Sequence, residues 1–293
     1  MGIVITAATG RFGRIVIADL LAAGVPADEI TAVARAEDKA ADLVAKGVRL
    51  HLGDYDRPET FAGAFRPGDR VLLIPGIELG RRVAQHEGVI DAARKADVAQ
   101  LAYVGVFGGP EADFLIAADH RGTEELILDS GLPHTFLRNN WYSEAYAGDL
   151  SDFAGTLERG AIVTNVAAGS RIATAPRRDY AAAAAVVMSQ DGHLNRAYEL
   201  SGDTAWTFDE FAAEVSRQSG KKVVHTSVTT AERRALLTAS GLPGAYADAL
   251  VDVDEAISRG ALAGTPGELS RLIGRPTTPI AATIATALAS PAS

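Results

Sequence analysis

Three groups of residues in this chain have types and spacings that chemistry can use. The first is the run Thr6-Ala7-Ala8-Thr9-Gly10-Arg11-Phe12-Gly13, which follows the short apolar stretch Ile3-Val4-Ile5 and opens a helix-period pattern. Small residues at a strand-to-helix turn let backbone N–H groups approach an anion closely, and the partial positive charge at a helix N-terminus favours a phosphate. That is the layout of a dinucleotide pyrophosphate site. The spacing is Ala7-x-x-Gly10-x-x-Gly13, with alanine where the first of three glycines belongs, so residue 7 is expected to stay out of left-handed backbone space. Arg35 stands 22 positions after Gly13, where such a site carries either an acid for a ribose hydroxyl or an arginine beside a 2′-phosphate. The acids Glu37 and Asp38 arrive two residues later, so the spacing favours NADPH, with NADH as the lesser option. Asp54, after the third apolar stretch, is a candidate for the adenine amine and equally a turn-forming residue.

The second group is defined by an absence. Enzymes of this layout that reduce simple carbonyls use a Tyr-x-x-x-Lys pair, the lysine easing proton donation by the tyrosine. The seven tyrosines are followed four places later by Glu59, Phe107, Tyr146, Leu150, Ala184, Gly202 and Leu250, so no such pair exists and no catalytic residue is assigned. His120 and Glu124 stand at i and i+4. They read as a surface helix pair, with His120 as a general acid the alternative. The third group is Arg138-Asn139-Asn140-Trp141-Tyr142-Ser143-Glu144, two adjacent large aromatics among amides. Without a positioned acid, a hydride acceptor must already be electrophilic and give a stable product, as quinones and cationic dyes do, and such flat molecules stack on aromatic faces. Anchoring one lobe to another would use Trp141 and Tyr142 equally well.

These residues need elements to position them. Short apolar runs at Ile3 to Ile5, Glu29 to Ala34, Val48 to Leu52, Arg70 to Ile74, Gln100 to Val106 and His134 to Leu137 predict strands. Between them, helical spacing predicts helices over Arg11 to Ala23, Lys39 to Lys46, Pro58 to Phe65, Arg81 to Ala96 and Ala118 to Asp129. Strands alternating with helices mean an α/β fold, a doubly wound Rossmann-type parallel sheet. Beyond Arg138 the rhythm changes to a helix from Tyr142 to Arg159, a strand Ala161 to Asn165, a segment Arg171 to Ala175, a helix from about Arg178 and a strand Ala197 to Ser201 that joins the first sheet. Thr207-Phe208-Asp209-Glu210 reads as a capping box for a helix to Ser219. A strand Lys222 to Val228 and three helices follow, the last but one with Pro266 at its first position. The expected division is a Rossmann domain over 1–139 plus about 176–202, and a smaller α/β substrate lobe over about 140–175 and 203–293 that covers the strands' carboxyl ends.

Composition narrows the classes. A formal charge of −9 over 293 residues, with no basic stripe, argues against nucleic acid as a partner. The absence of cysteine removes thiolate chemistry and cysteine-held metals, and no flavin or metal is expected. Apolar runs fall short of the ~20 residues of a membrane span, and a cytoplasmic monomer or homodimer is the expectation.

Taken with Val33-Ala34-Arg35, Gly53-Asp54-Tyr55, Gln85-His86, Leu101-Ala102-Tyr103-Val104, Asp179-Tyr180, Trp206-Thr207-Phe208 and Leu272-Ile273-Gly274, the three groups resemble the NmrA-like branch of the atypical short-chain dehydrogenases. The bacterial type 2 NAD(P)H:quinone oxidoreductases are the most similar members, and the triphenylmethane dye reductases come next. The resemblance implies that Ala7, Ala8, Thr9, Gly10, Arg11, Phe12 and Gly13 hold the pyrophosphate, Arg35 the 2′-phosphate, and Pro75, Gly76 and Ile77 the adenosine side. It further implies Tyr103, Asn139 and Thr174 against the cofactor, and Phe107, Asn140, Trp141, Tyr142 and Ser143 against a small quinone or similar conjugated acceptor. The pattern differs at Ala7, where the branch has glycine, and at Pro75, Gly76 and Gly105, where it has small hydroxyl residues. An NADP-binding redox sensor that does not turn over is the alternative from another class, and a dye reductase the alternative within this one.

Overall fold

The computed structural model describes residues 2–148 and 152–289. Six strands pair in parallel: β1 (Ile3–Ile5), β2 (Ile30–Ala34), β3 (Arg49–Leu52), β4 (Arg70–Leu73), β5 (Gln100–Val106) and β6 (His134–Asn139). They alternate with α1 (Arg11–Ala22), α2 (Ala41–Val44), α3 (Arg82–Lys95) and α4 (Leu115–Asp129). β1, β4 and β5 are buried along their whole length, so both faces are covered and the strands read as continuous apolar runs, as parallel sheets require. The chain continues through α5 (Phe153–Arg159), β7 (Ala161–Thr164), β8 (Arg171–Ile172), α6 (Arg177–Ser189) and β9 (Arg196–Leu200). The sheet runs β3-β2-β1-β4-β5-β6-β9, so strand order reverses between β1 and β4. The doubly wound sheet expected from the sequence, including the late strand that joins it, is borne out.

Two compact units emerge. The first contains residues up to Gly109, Ala118–Asn139 and Tyr180–Glu199, and is built on the sheet. Arg70, at the start of β4, ties its late segment by donating to the carbonyl of Gln190 at 2.6 Å and pairing with Asp191. The second contains Pro110–Ala117, Asn140–Asp179 and the chain from Leu200 onward. It adds β10 (Trp206–Thr207), α7 (Phe208–Ser219), β11 (Val224–Ser227), α8 (Thr230–Ala239), α9 (Gly244–Ser258), α10 (Glu268–Ile273) and α11 (Ile280–Ala289). Its sheets are two pairs, β10 with β8 and β11 with β7. An aromatic cluster forms its core, with Trp206 stacked on Phe211 at 5.2 Å and Tyr146 edge-on to Phe208 at 5.1 Å. The capping box of α7 is present, Thr207 Oγ1 accepting the Glu210 N–H at 3.1 Å while Glu210 takes the Thr207 N–H at 2.8 Å.

Several elements differ from the sequence expectation. The helix expected over Lys39 to Lys46 is a 3₁₀ turn followed by the four residues of α2, and Pro58 to Phe65 makes only a 3₁₀ turn before Gly63 turns left-handed at φ 76°. The expected helix over Tyr142 to Arg159 is a 3₁₀ turn at Ser143–Ala145 and then α5, whose N-cap Asp152 accepts from Gly155; residues 149–151 lie outside the described residues. Among the described residues four helices, not three, follow β11, because a break at Ser240 to Pro243 separates α8 from α9. Pro266 precedes α10 without entering it, since Gly267 at φ 73° is the N-cap. No described helix is long and apolar enough to cross a membrane.

Candidate cofactor and acceptor residues

The glycine turn joins β1 to α1, and its geometry overturns one expectation. Ala7 adopts φ 46°, inside the left-handed region. The turn closes by the Gly10 N–H donating to the Ala7 carbonyl at 3.0 Å while the Ala8 N–H donates to Val33 at 3.1 Å, and those two bonds impose the conformation that glycine would take freely. Gly13 lets α1 sit on the turn, since a Cβ there would lie 2.8 Å from Ala8 Cα and 2.9 Å from the Ala7 carbonyl. Gly10 is the N-cap of α1 and offers no side chain to cap it, and the first turn carries no acid, which suits an external anion. Arg35 is exposed where β2 ends and makes no ion pair among the described residues. Asp54 acts as a turn residue: its Oδ1 accepts the Asp56 N–H at 3.2 Å and its Oδ2 lies 3.4 Å from Arg57.

Beyond β4, Pro75 and Gly76 are half-buried and Ile77 is 77% exposed. Arg82 Nε donates to the Gly76 carbonyl at 2.7 Å and the Gly80 N–H donates to Asp119 at 2.8 Å, so α3 and α4 fix this loop. Tyr55, which the sequence reading passed over as a site residue, ties the neighbouring strand ends. Its hydroxyl donates to the Ile74 carbonyl at 2.6 Å and lies 2.7 Å from Thr6 Oγ1, which in turn accepts the Ile74 N–H at 3.0 Å. Burial holds the Tyr55 hydroxyl in its protonated form. Only its place directly after the third strand marked it in the sequence.

Tyr103 and His120 are interior residues. Tyr103 is fully buried in the core, its ring edge-on to His86 at 5.7 Å, and its hydroxyl lies 2.8 Å from His120 Nδ1. The reading of His120 as a surface residue paired with Glu124 is therefore corrected: it is 7% exposed, and Glu124 pairs with Arg138 instead. Arg82 Nη1, which can only donate, stands 3.4 Å from His120 Nε2, so Nδ1 carries the ring proton and donates to Tyr103. His86 Nδ1 donates to Thr123 Oγ1 at 2.9 Å, and Thr123 donates to the Asp119 carbonyl at 2.8 Å. Burial, with Arg82 adding to it, pushes both histidines down to about 3, so each is neutral near pH 7. Helical periodicity of α4 alone could not show which of its polar residues face inward.

At the ends of β5 and β6, the Phe107 N–H donates to the Asn139 carbonyl at 3.0 Å, and Phe107 is half-buried. In the second unit, Asn140 is 3% exposed, and its side chain serves the fold: Nδ2 donates to Leu262 at 3.0 Å and Oδ1 accepts the Trp141 N–H at 2.7 Å. Ser143 Oγ lies 2.9 Å from Thr174 Oγ1, which also accepts the Trp206 indole N–H at 3.1 Å. Trp141 and Tyr142 remain half-buried, and the Arg177 guanidinium lies 5.5 Å above the Tyr142 ring. Among the described residues, no cluster of three metal-ligating side chains could hold a metal ion.

A family model described as NAD(P)H-binding matches residues 7–189, starting at the turn residue Ala7. The chain belongs to this NAD(P)H-binding family. Quinone oxidoreductase 2 of Escherichia coli is 41% identical over 96% of this chain and 97% of its own length. The crystal structure of that NADPH-dependent enzyme complexed with NADPH superposes with a TM-score of 0.93, at 40% identity, covering 98% of this chain and 99% of the other. The Citrobacter sp. triphenylmethane reductase complexed with NADP(H) superposes with a TM-score of 0.90, at 38% identity, covering 98% and 100%. An NAD(P)H azoreductase of Xenophilus azovorans is 26% identical over 94% of this chain and 93% of its own. The resemblance read from the sequence is borne out, and the cradle formed by Ala7, Gly10 and Gly13 at an uncapped helix start fits the nicotinamide dinucleotide of an NAD(P)H-binding family.

Proposed function

We propose that this chain is an NADPH-dependent quinone reductase that passes hydride directly to a flat, stacked acceptor. What carries the reading is the near-full-length likeness to E. coli quinone oxidoreductase 2, and the site residues support it. When bound, NADPH supplies the hydride. The turn at Ala7 to Gly13 orients the pyrophosphate on α1, and the exposed guanidinium of Arg35 selects the 2′-phosphate. Pro75, Gly76 and Ile77 flank the adenosine, on a loop that Arg82 fastens. Asn139 contacts the nicotinamide end, and Phe107, Trp141 and Tyr142 supply aromatic faces for the acceptor.

Proton donation is left to solvent. The sequence has no Tyr-x-x-x-Lys pair, and the buried Tyr103 and His120 are engaged with one another. Positioning two flat rings for attack then supplies most of the rate. Such an enzyme works in the cytoplasm, where NADPH is regenerated. The test is NADPH oxidation followed at 340 nm, with and without a small benzoquinone. Saturable, chain-dependent turnover supports the reading. Binding of NADP+ without turnover on any quinone or dye sinks it in favour of a redox sensor, and turnover on triphenylmethane dyes alone reassigns the acceptor.

A further inference from the structure

Three charged side chains cluster at the carboxyl ends of β5 and β6. Arg138 donates Nε and Nη2 to the two oxygens of Glu124, at 3.0 and 2.7 Å, and Nη1 to Glu199 Oε1 at 3.0 Å. The second oxygen of Glu199 accepts the Gly108 N–H at 2.8 Å. Gly109, at φ 48°, lies so close on the guanidinium that a Cβ would fall 2.2 Å from Arg138 Cζ, so the turn after β5 is clamped onto the cluster. Side-chain exposure is 15% for Arg138, 5% for Glu124 and 30% for Glu199. Two carboxylates against one guanidinium leave an excess of one negative charge in a place largely shielded from water.

That place has a meaning in this fold. With strand order 3-2-1-4-5-6, the first three strands serve the adenosine half of a dinucleotide and the next three the nicotinamide half. Phe107 and Asn139 flank the cluster in sequence and close onto each other through the Phe107 N–H. Giving up hydride turns a neutral dihydronicotinamide into a cationic ring: the C4–H bond breaks with its electron pair, a bond to the acceptor forms, and solvent supplies the second hydrogen as a proton. A fixed negative charge near that ring favours the product side without reorganising.

We infer that the Arg138–Glu124–Glu199 cluster biases the nicotinamide site toward NADP+ over NADPH and so makes the bound cofactor a stronger hydride donor. The inference rests on the cofactor reading above and deepens it. Glu199→Gln removes one charge and keeps a single acceptor oxygen, which can serve either Arg138 or Gly108. Binding of NADP+ and of NADPH is measured separately by fluorescence titration, without any acceptor. Losing one partly shielded charge is expected to weaken NADP+ about threefold to tenfold relative to NADPH. Glu199→Asp, which keeps the charge and alters the geometry, leaves the ratio near native. If Glu199→Gln does not fold, Glu124→Gln is read the same way. A ratio unchanged in the charge-removing variant, or equally shifted in Glu199→Asp, overturns the inference while the cofactor reading stands. Failure of the native chain to bind either nucleotide overturns the proposed function and this inference with it.

Discussion

Lowering the pH from 7 to 5 removes stability from the first unit chiefly through its two buried histidines; His193, which burial also lowers, acts in the same sense. His86 and His120 ionise at about 6.5 when exposed and near 3 in the folded chain, because burial and Arg82 disfavour their charged forms. Between those values the unfolded chain binds protons that the folded chain refuses, so stability is fully present above pH 6.5 and falls as pH drops toward 3. Integrating from pH 7 to 5 gives about 2 kcal/mol for each histidine, or about 4 kcal/mol together. Asp254 in the second unit works in the opposite sense. It is 5% exposed, 3.4 Å from Arg233, and burial raises it to about 6, so its contribution is present at low pH and is lost as pH rises through 6. Over the same interval it favours the folded second unit by about 1 kcal/mol. Urea unfolding followed by hydrogen exchange at amides of β1, β4 and β5, compared with those of α9, separates the two. The expected slope for the sheet amides below pH 5.5 approaches two protons, about 2.7 kcal/mol per pH unit, and His120→Gln reduces it to about one proton. A native slope below one proton, or one that His120→Gln leaves unchanged, refutes the argument that these rings are held neutral.

Three further outcomes are expected. Ala7→Gly relieves the left-handed alanine at φ 46° and stabilises the chain by about 1 kcal/mol, seen as a Tm rise of a few degrees in calorimetry; an unchanged or lower Tm contradicts it. Arg35→Leu weakens NADPH about tenfold to a hundredfold with little effect on NADH, and equal losses for both nucleotides would show that the guanidinium does not read the 2′-phosphate. Trp141→Ala weakens the acceptor about tenfold, read as KM for benzoquinone, while NADPH still binds; an unaltered acceptor profile removes the stacking role.

Much of this was legible in the residues, and the exceptions share a cause. Apolar runs such as Val71 to Leu73 and Leu101 to Val104, separated by helical spacing, marked a parallel sheet covered on both faces, and glycines at 10 and 13 marked the turn. What stayed hidden depended on contacts between distant residues. Ala7 is left-handed because Val33 and Gly10 hold its neighbours, which local preference argues against. His120 matched a surface pair at i,i+4, yet the long side chain of Arg138 claims Glu124 from another element. Asn140 looked free to meet a ligand, and its amide is spent on Leu262, more than a hundred residues away. The breaks that divide α8 from α9 and shorten the helix after Pro58 come from single residues whose turn geometry competes with a helical pattern.

The seat of β9 has a consequence for how the chain is made. β6, already paired with β5, gains its second sheet neighbour only once residues 196–200 exist, and Arg70 in β4 finds Gln190 and Asp191 only shortly before. A ribosome that has released the first 140 residues therefore holds a sheet with an open edge and a buried-site arginine still unpaired. Strand edges of that kind invite pairing with other chains. Completion of the first unit is a late event in synthesis, and a premature stop anywhere between β6 and β9 should yield a fragment that depends on chaperones for its solubility, which cell-free translation of such truncations would reveal.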